Sequence, residues 1–452
     1  MRFRSPGGRL TDLAEFATVR ANLVGHPLCS RITTEGSNVD GVLANALVFR
    51  RAVLRDGTAP LAWAGCGCQF AECNRIPIHR QTGLRIRQTS ADSKKRIPDM
   101  PTLCKPSVSV PEHIITVEET LEFARRVHAG KPQLPLALRL IQNTGVWKRH
   151  IVRPIEQTLR HTGFEERNRI YEFESKKRCP GVIDQALANA GVVARDIDVI
   201  IYVSCTGFLM PSLTAWLINS MGFRSDTRQV PIAQLGCAAG GAAINRAHDF
   251  CMAYPGSNIL IVSCELCSLC YQPGDDGVGS LLSDGLFGDA VAAAVVRGSG
   301  GTGMTLERNA SYLIPNTEEW ISYAVRATGF HFQLDRRVPG TMEPLAPVLR
   351  ELATNHGWDI GDLDFYIIHA GGPRILDDLG KFLNVDRGMF RYSWATLTEY
   401  GNIASAVVLD ALRRLFDDGP APGATGVLAG FGPGITAEMA LGSWTVDAST
   451  NL

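Results

Sequence analysis

The chain has 452 residues, 45% hydrophobic and 20% charged, with a formal net charge of zero. That composition suits a soluble globular protein with two cores or one large duplicated one, and gives no electrostatic reason to expect nucleic acid or a membrane surface as partner. No apolar run reaches about 18 residues and the first residues lack the apolar core of a signal peptide, so the expected compartment is the cytosol.

In chain order, residues 1–99 stand apart: they hold 15 Lys and Arg against 8 Asp and Glu, so residues 100–452 carry the opposite balance. Their apolar patterns are short and broken. They are expected to be a disordered extension, or upstream sequence read from a start codon set too early, because ordered patterning begins at Met100. There a short apolar strand leads into Thr116, with Glu119 three residues on. That pair predicts a helix start with a capping box.

Further on, "LANAGVVARDIDVIIYVSCTG" from Leu187 resembles "LATNHGWDIGDLDFYIIHAGG" from Leu352. Each runs from a helix end through Gly and Asp-x-Asp into a β-branched, aromatic strand: Val199–Val203 in one, Phe365–Ile368 in the other. Cys237 lies 39 residues after Asp198, and Asn402 lies 38 after Asp364. Each opens an apolar helix, residues 238–254 and 403–416, followed by a turn and another strand. The chain therefore reads as two similar α/β halves, 100–300 and 301–452, divided near "RGSGGTG". Central helices this apolar are expected to lie buried between two sheets.

The repeat places Cys237 and Asn402 at equivalent corners, and Cys205 and His369 at equivalent strand ends. A thiol at a helix N-terminus meets unpaired amides and the positive end of the macrodipole, which favour thiolate. Small Ala238, Ala239, Gly240 and Gly241 are expected to let backbones approach and to leave room for a substrate. An inert core cysteine is the plainer alternative; the matched His369 and Asn402 favour an activated nucleophile. No metal is expected. Cys264, Cys267 and Cys270 lack the fourth cysteine of an iron–sulfur run, and the cysteines at 66–73 lack zinc-site spacing.

Cys, His and Asn in that order fit a papain-like hydrolase or a thiolase-type enzyme that forms carbon–carbon bonds on thioesters. The papain signature around the cysteine is absent. "LGCAAGG", "LFGDAVAAAVV", "IIHAGGPRIL", "LTEYGNIASA" and "GFGPGITAE", in order between Met100 and Trp444, resemble the motifs of the type III polyketide synthases, the chalcone synthase superfamily. The resemblance implies a thiolase-type fold of duplicated halves in αβαβα layers, CoA thioester substrates and no cofactor. It implies Cys237 as nucleophile, with His369 and Asn402 as donors to the thioester oxygen. Phe287 and, from "GFHFQLDRRVPG", Phe330 match the family's aromatic gate.

Stretches such as "YVSCTGFLMPSLTAWLINSMGFR" and "CELCSLCYQP" resemble the bacterial branch that condenses five malonyl-CoA and cyclises the chain to tetrahydroxynaphthalene. For that branch Tyr323 is implied as partner of the malonyl starter's carboxylate, with Cys205, Cys267 and Cys270 lining the pocket and Cys205 a candidate second reactive thiol. Met210 matches a residue that reaches across a homodimer. Arg139 matches a CoA phosphate contact, while Leu136 and Asn143 replace two other basic positions; Lys148 and Arg149 either compensate or form a solvated face. A sister reading keeps the chemistry with a fatty acyl starter, making alkylpyrones or alkylresorcinols.

Overall fold

The computed structural model describes residues 99–160 and 162–447; the expectations for residues 1–98 lie outside them. The chain enters through β1 (Thr102–Cys104), β2 (Ser107–Ser109) and β3 (His113–Thr116), then α1 (Val117–Val127) and α2 (Leu134–Gln142). α1 starts at the capping box expected from sequence: the Glu119 amide donates to Thr116 Oγ1 at 3.2 Å, and the Thr116 amide donates to Glu119 Oε2 at 2.8 Å. β4 (Lys148–Ile151) pairs with β3.

α3 (Phe164–Ala190), β5 (Ile197–Val203), α4 (Leu213–Ser220), β6 (Arg228–Ile232), α5 (Ala239–Ala253), β7 (Asn258–Leu266), α6 (Val278–Leu286) and β8 (Asp289–Arg297) complete the first half. β9 (Gly303–Leu313), the hairpin β10 (Ile321–Arg326) and β11 (Gly329–Leu334), α7 (Met342–Asn355) and β12 (Phe365–Ile368) open the second. α8 (Pro373–Leu383), α9 (Arg391–Tyr400), α10 (Val407–Asp418), β13 (Thr425–Gly432) and β14 (Thr436–Thr445) close it.

The strand order β12-β13-β14-β9-β1-β8-β7-β5-β6 makes the repeat visible. In one direction β5 runs parallel to β7, with β8 and β1 antiparallel beyond; in the other, β12 runs parallel to β13, with β14 and β9 antiparallel beyond. β1 joins β9, so the hydrogen-bonded path passes through both halves without a break. β6 extends the first half alone. The corresponding stretch before Asn402 is the helix α9.

Burial follows from this arrangement. β8, "DAVAAAVV", is apolar on both faces, as a strand covered on both sides must be. α5 packs against β5 and β7 of one half and β13 and β14 of the other, and α10 against β8 and β12. These two helices form the middle layer. α3 and α4 cover the first half outside, α7 and α9 the second. This is the layered α/β fold the repeat implied.

The small residues that open α5 serve this packing. A Cβ on Gly240 would stand 2.2 Å from the Ser405 carbonyl oxygen, so only glycine lets α5 lie against the turn that leads into α10. Asn245 of α5 donates to Glu438 of β14 at 2.7 Å and Ser311 of β9 donates to its other oxygen at 2.8 Å, so the buried carboxylate is satisfied at both oxygens.

Candidate active site

The C-terminal ends of the parallel strands β5 and β12 point to the same region, where open α/β sheets commonly bind ligands. Cys205 follows β5 by two residues. His369 follows β12 directly, its amide donating to the Ala429 carbonyl at 2.8 Å. Cys237 sits in the 3₁₀ turn Gly236–Ala238 that opens α5. Gly236 takes φ +48°, and a Cβ there would meet Pro433 at 2.7 Å, which explains the glycine before the thiol. Asn402 is held by backbone: its amide donates to the Leu286 carbonyl at 2.8 Å, and the Gly288 amide donates to its carbonyl at 3.2 Å. Those bonds flank Phe287, so the second half's asparagine and the first half's phenylalanine are fixed together.

Cys237, His369 and Asn402 line one cavity of about 380 Å³. His369 and Asn402 are each only 3% exposed. Asn402 joins the other two. The Ala404 amide donates to Asn402 Oδ1 at 2.9 Å, which orients the side-chain amide. Oδ1 therefore also accepts from His369 at 3.2 Å, which assigns the imidazole proton to Nε2 and leaves Nδ1 a buried acceptor without a partner among the described residues. The Asn402 amide group is then turned to the Cys237 sulfur, and that bond favours the thiolate. Burial opposes it more strongly: it pushes the Cys237 thiol up to about 12, helped by the charge of Glu265, and the His369 imidazole down to about 4. Each shift is the cost of one isolated charge. Moving the thiol proton to His369 creates both charges together and leaves the site neutral.

Glu265, near the end of β7, was not anticipated. It is fully buried. It accepts from the Cys205 amide at 3.1 Å, the Cys205 thiol at 3.5 Å, Thr206 Oγ1 at 3.1 Å and Ser405 Oγ. Burial still lifts it to about 7. A carboxylate inside the apolar run "NILIVSCEL" was the available signal, since acidic residues are rarely buried without a role or a partner. Replacing it tests its hold on Cys237. Because the Glu265 charge raises the Cys237 pKa, Glu265→Gln is expected to move the pH midpoint of Cys237 alkylation by iodoacetamide downward. An unmoved or raised midpoint contradicts that coupling.

Several expectations change in the structure. Ala238–Gly241 do not line the cavity; they pack the two halves together and leave substrate room to others. Cys205 is not a low-pKa thiol, because burial and then the Glu265 charge push it well above the ordinary range. Phe330 lies outside the cavity, against Phe164 and Tyr323. Phe332, two residues on along the same face of β11, lines it and meets Phe287 edge to face at 5.4 Å. Tyr323 lies directly opposite Phe332 in the hairpin.

Tyr323 and Cys267 line both this cavity and a smaller one of about 70 Å³, to which Cys270 belongs. Met210 is exposed and outside the cavity. Arg139 is exposed on α2, whereas its neighbours Leu140, Asn143 and Thr144 line the cavity. Lys148 and Arg149 belong to a strand rather than a helix face. Arg149 is buried, donating to the Phe287 carbonyl at 3.1 Å and to Thr120 at 2.8 Å, so it is committed to structure.

A cysteine, a histidine and an asparagine from two pseudo-equivalent halves, meeting on one largely apolar cavity, define a thioester-condensing enzyme of thiolase type. Residues 136–301 match the N-terminal domain and residues 305–443 the C-terminal domain of the chalcone and stilbene synthases. The chain belongs to this family, the type III polyketide synthases, which are acyltransferases. It is 75% identical to the 1,3,6,8-tetrahydroxynaphthalene synthase of Streptomyces coelicolor over 76% of its length and 92% of the relative's. It is 71% identical to the synthase of that name from Streptomyces griseus, over 76% and 93%. The crystal structure of the Streptomyces coelicolor synthase aligns with a TM-score of 0.76, covering 76% of this chain and 99% of that one. Germicidin synthase from Streptomyces coelicolor, at 28% identity, aligns at 0.72 over 76% and 100%.

Proposed function

We propose that the chain primes itself with malonyl-CoA, extends the primer with four more malonyl units, and cyclises the pentaketide to 1,3,6,8-tetrahydroxynaphthalene. The observation that carries this reading is the convergence of Cys237, His369 and Asn402 on a cavity whose wall also holds the Tyr323 hydroxyl, which makes no hydrogen bond among the described residues. The 71–75% identity to two synthases of that name supports it.

In this reading the Cys237 sulfur attacks the malonyl thioester carbonyl and CoA leaves with a proton. The Asn402 amide and His369, through the proton it takes up at Nδ1, donate to the carbonyl oxygen as it gains charge, while Nε2–H stays on Asn402 Oδ1. An extender malonyl-CoA then loses CO2; the electrons of the broken bond form an enolate, held by the same donors. The enolate carbon attacks the Cys237 thioester, a carbon–carbon bond forms, and the sulfur is released. The aromatic wall of Phe287 and Phe332 disfavours the extender's carboxylate and so favours its departure as CO2. The site residues lie in two halves, 100–300 and 301–452. The enzyme works as a cytosolic homodimer, with Met210 reaching the partner; no described helix is long and apolar enough to cross a membrane.

A malonyl starter brings a carboxylate into this apolar cavity, where an unpaired charge is costly; the Tyr323 hydroxyl offsets part of that cost. A fatty acyl starter would not need it. The test is product analysis with malonyl-CoA alone, in which the naphthalene is the expected mass. Tyr323→Phe is expected to make less of it while accepting hexanoyl-CoA as well as before or better. No aromatic product from malonyl-CoA alone sinks the proposal, and an undiminished yield from Tyr323→Phe removes that residue from starter choice.

A further inference from the structure

We propose that His331 is a positioning residue for Tyr323, and through it for the choice of starter, an inference that rests on the function proposed above. The hairpin β10–β11 is a two-stranded sheet that joins no other strand among the described residues. Two strands alone hold their place poorly, so what fixes this pair must come from side chains. Tyr323 depends on that fixing. Its ring meets Phe330 at 5.7 Å and Phe332 at 5.8 Å, both on the partner strand of the same hairpin, and its hydroxyl makes no hydrogen bond among the described residues. Phe332, by contrast, is also met from outside the hairpin by Phe287.

His331 lies between Phe330 and Phe332 and so on the other face of β11, paired with Ala324. It is 6% exposed and bonded at both ring nitrogens: Nδ1 to Asp275 Oδ2 at 2.7 Å, and Nε2 to Thr328 Oγ1 at 2.6 Å. The carboxylate accepts, which assigns the imidazole proton to Nδ1 and leaves Nε2 to accept from the Thr328 hydroxyl. Asp275 belongs to the loop 271–277, between the turn Cys267–Cys270 and α6. Gln272 of that loop donates from Nε2 to the Thr328 and Phe330 carbonyls, each at 3.2 Å. A loop of the first half, 56 residues from His331 at Asp275, therefore grips the hairpin at its turn. Carboxylate, imidazole and hydroxyl stand here in the order of a hydrolytic triad, yet none of the three lines either cavity, so the trio works through position. A hydroxyl that must meet a starter's carboxylate needs a fixed place, because a misplacement of about 1 Å is costly.

The test uses the full chain with His331→Phe, which keeps a ring and removes both hydrogen bonds, and His331→Asn, whose amide can still donate to Asp275. Products are identified by mass and quantified with malonyl-CoA alone and with hexanoyl-CoA as starter. His331→Phe is expected to lower malonyl priming roughly 10-fold relative to hexanoyl priming, the scale of one hydrogen bond to a charged group, and His331→Asn to recover part of the loss. Because His331 acts through Tyr323, adding His331→Phe to Tyr323→Phe is expected to change malonyl priming less than about twofold further. Equal losses with both starters, or full additivity with Tyr323→Phe, overturns the assignment. Hydrogen exchange of the amides of 321–334 reads the hold on the hairpin without turnover: His331→Phe is expected to exchange faster there than wild type, and unchanged exchange overturns the assignment. Faster exchange in a protein whose wild type makes no aromatic product from malonyl-CoA leaves the hold on Tyr323 standing and overturns the proposed function instead.

Discussion

Cys237→Ser is expected to cut malonyl-CoA turnover by roughly 10⁴-fold or more while the protein keeps its fold, as loss of an activated nucleophile does elsewhere. The change replaces one atom and leaves the turn Gly236–Ala238 intact, so thermal unfolding should move little. A hydroxyl is far harder to ionise than a thiol, and burial already pushes the Cys237 thiol up to about 12. His369, held near 4, cannot take a proton from a weaker acid still. Intact-protein mass after mixing with malonyl-CoA should show an acyl adduct on the wild type and none on the variant. Turnover near the wild-type rate would remove Cys237 from the nucleophile's role.

The second large effect concerns the two donors. Losing one preorganised donor at such a site costs about 2.7–4 kcal/mol, or 10²–10³ in kcat. His369→Ala should hurt both loading of Cys237 and condensation, because it removes the proton's acceptor as well as a donor. Asn402→Ala should hurt condensation by a similar factor and loading less. Asn402 also holds His369 Nε2 at 3.2 Å, so the two residues share a contact and their losses should not add. The double variant is expected to lose clearly less than the sum of the single losses. Single-turnover loading, followed by adduct mass, and CO2 release from labelled malonyl-CoA separate the two steps. Equal loading defects in the two single variants, or full additivity, contradict this division.

Much of this was legible beforehand because duplication leaves a trace in one dimension. The Asp-x-Asp strands and the matched spacing to Cys237 and Asn402 identified equivalent positions in the two halves, and β5 and β12 now occupy equivalent places in the strand order. The Thr116 cap was legible because a capping box closes within three residues. The gate was less so. Phe330 and Phe332 lie on the same face of one strand, and periodicity cannot say which of two such residues meets a partner 45 residues away in sequence at Phe287.

By itself, then, the sequence determined the α/β pattern, the internal repeat and the matched positions of Cys237, His369 and Asn402, which now line one cavity, because these depend on local pattern and on spacing within each repeat. The tertiary structure decided what depends on contacts between distant segments. Glu265 touches Cys205, Thr206 and Ser405, the last 140 residues away, and only that packing brings a carboxylate charge to bear on Cys237. It also turned Ala238–Gly241 from substrate space into the seam between halves, and Arg149 from a candidate CoA contact into a buried strut. Among the described residues, it left Arg374 as the one Arg, Lys, Asp or Glu on the cavity wall. The reason is physical: burial and its electrostatic cost are set by everything packed around a group, and residue order along the chain does not contain that surrounding.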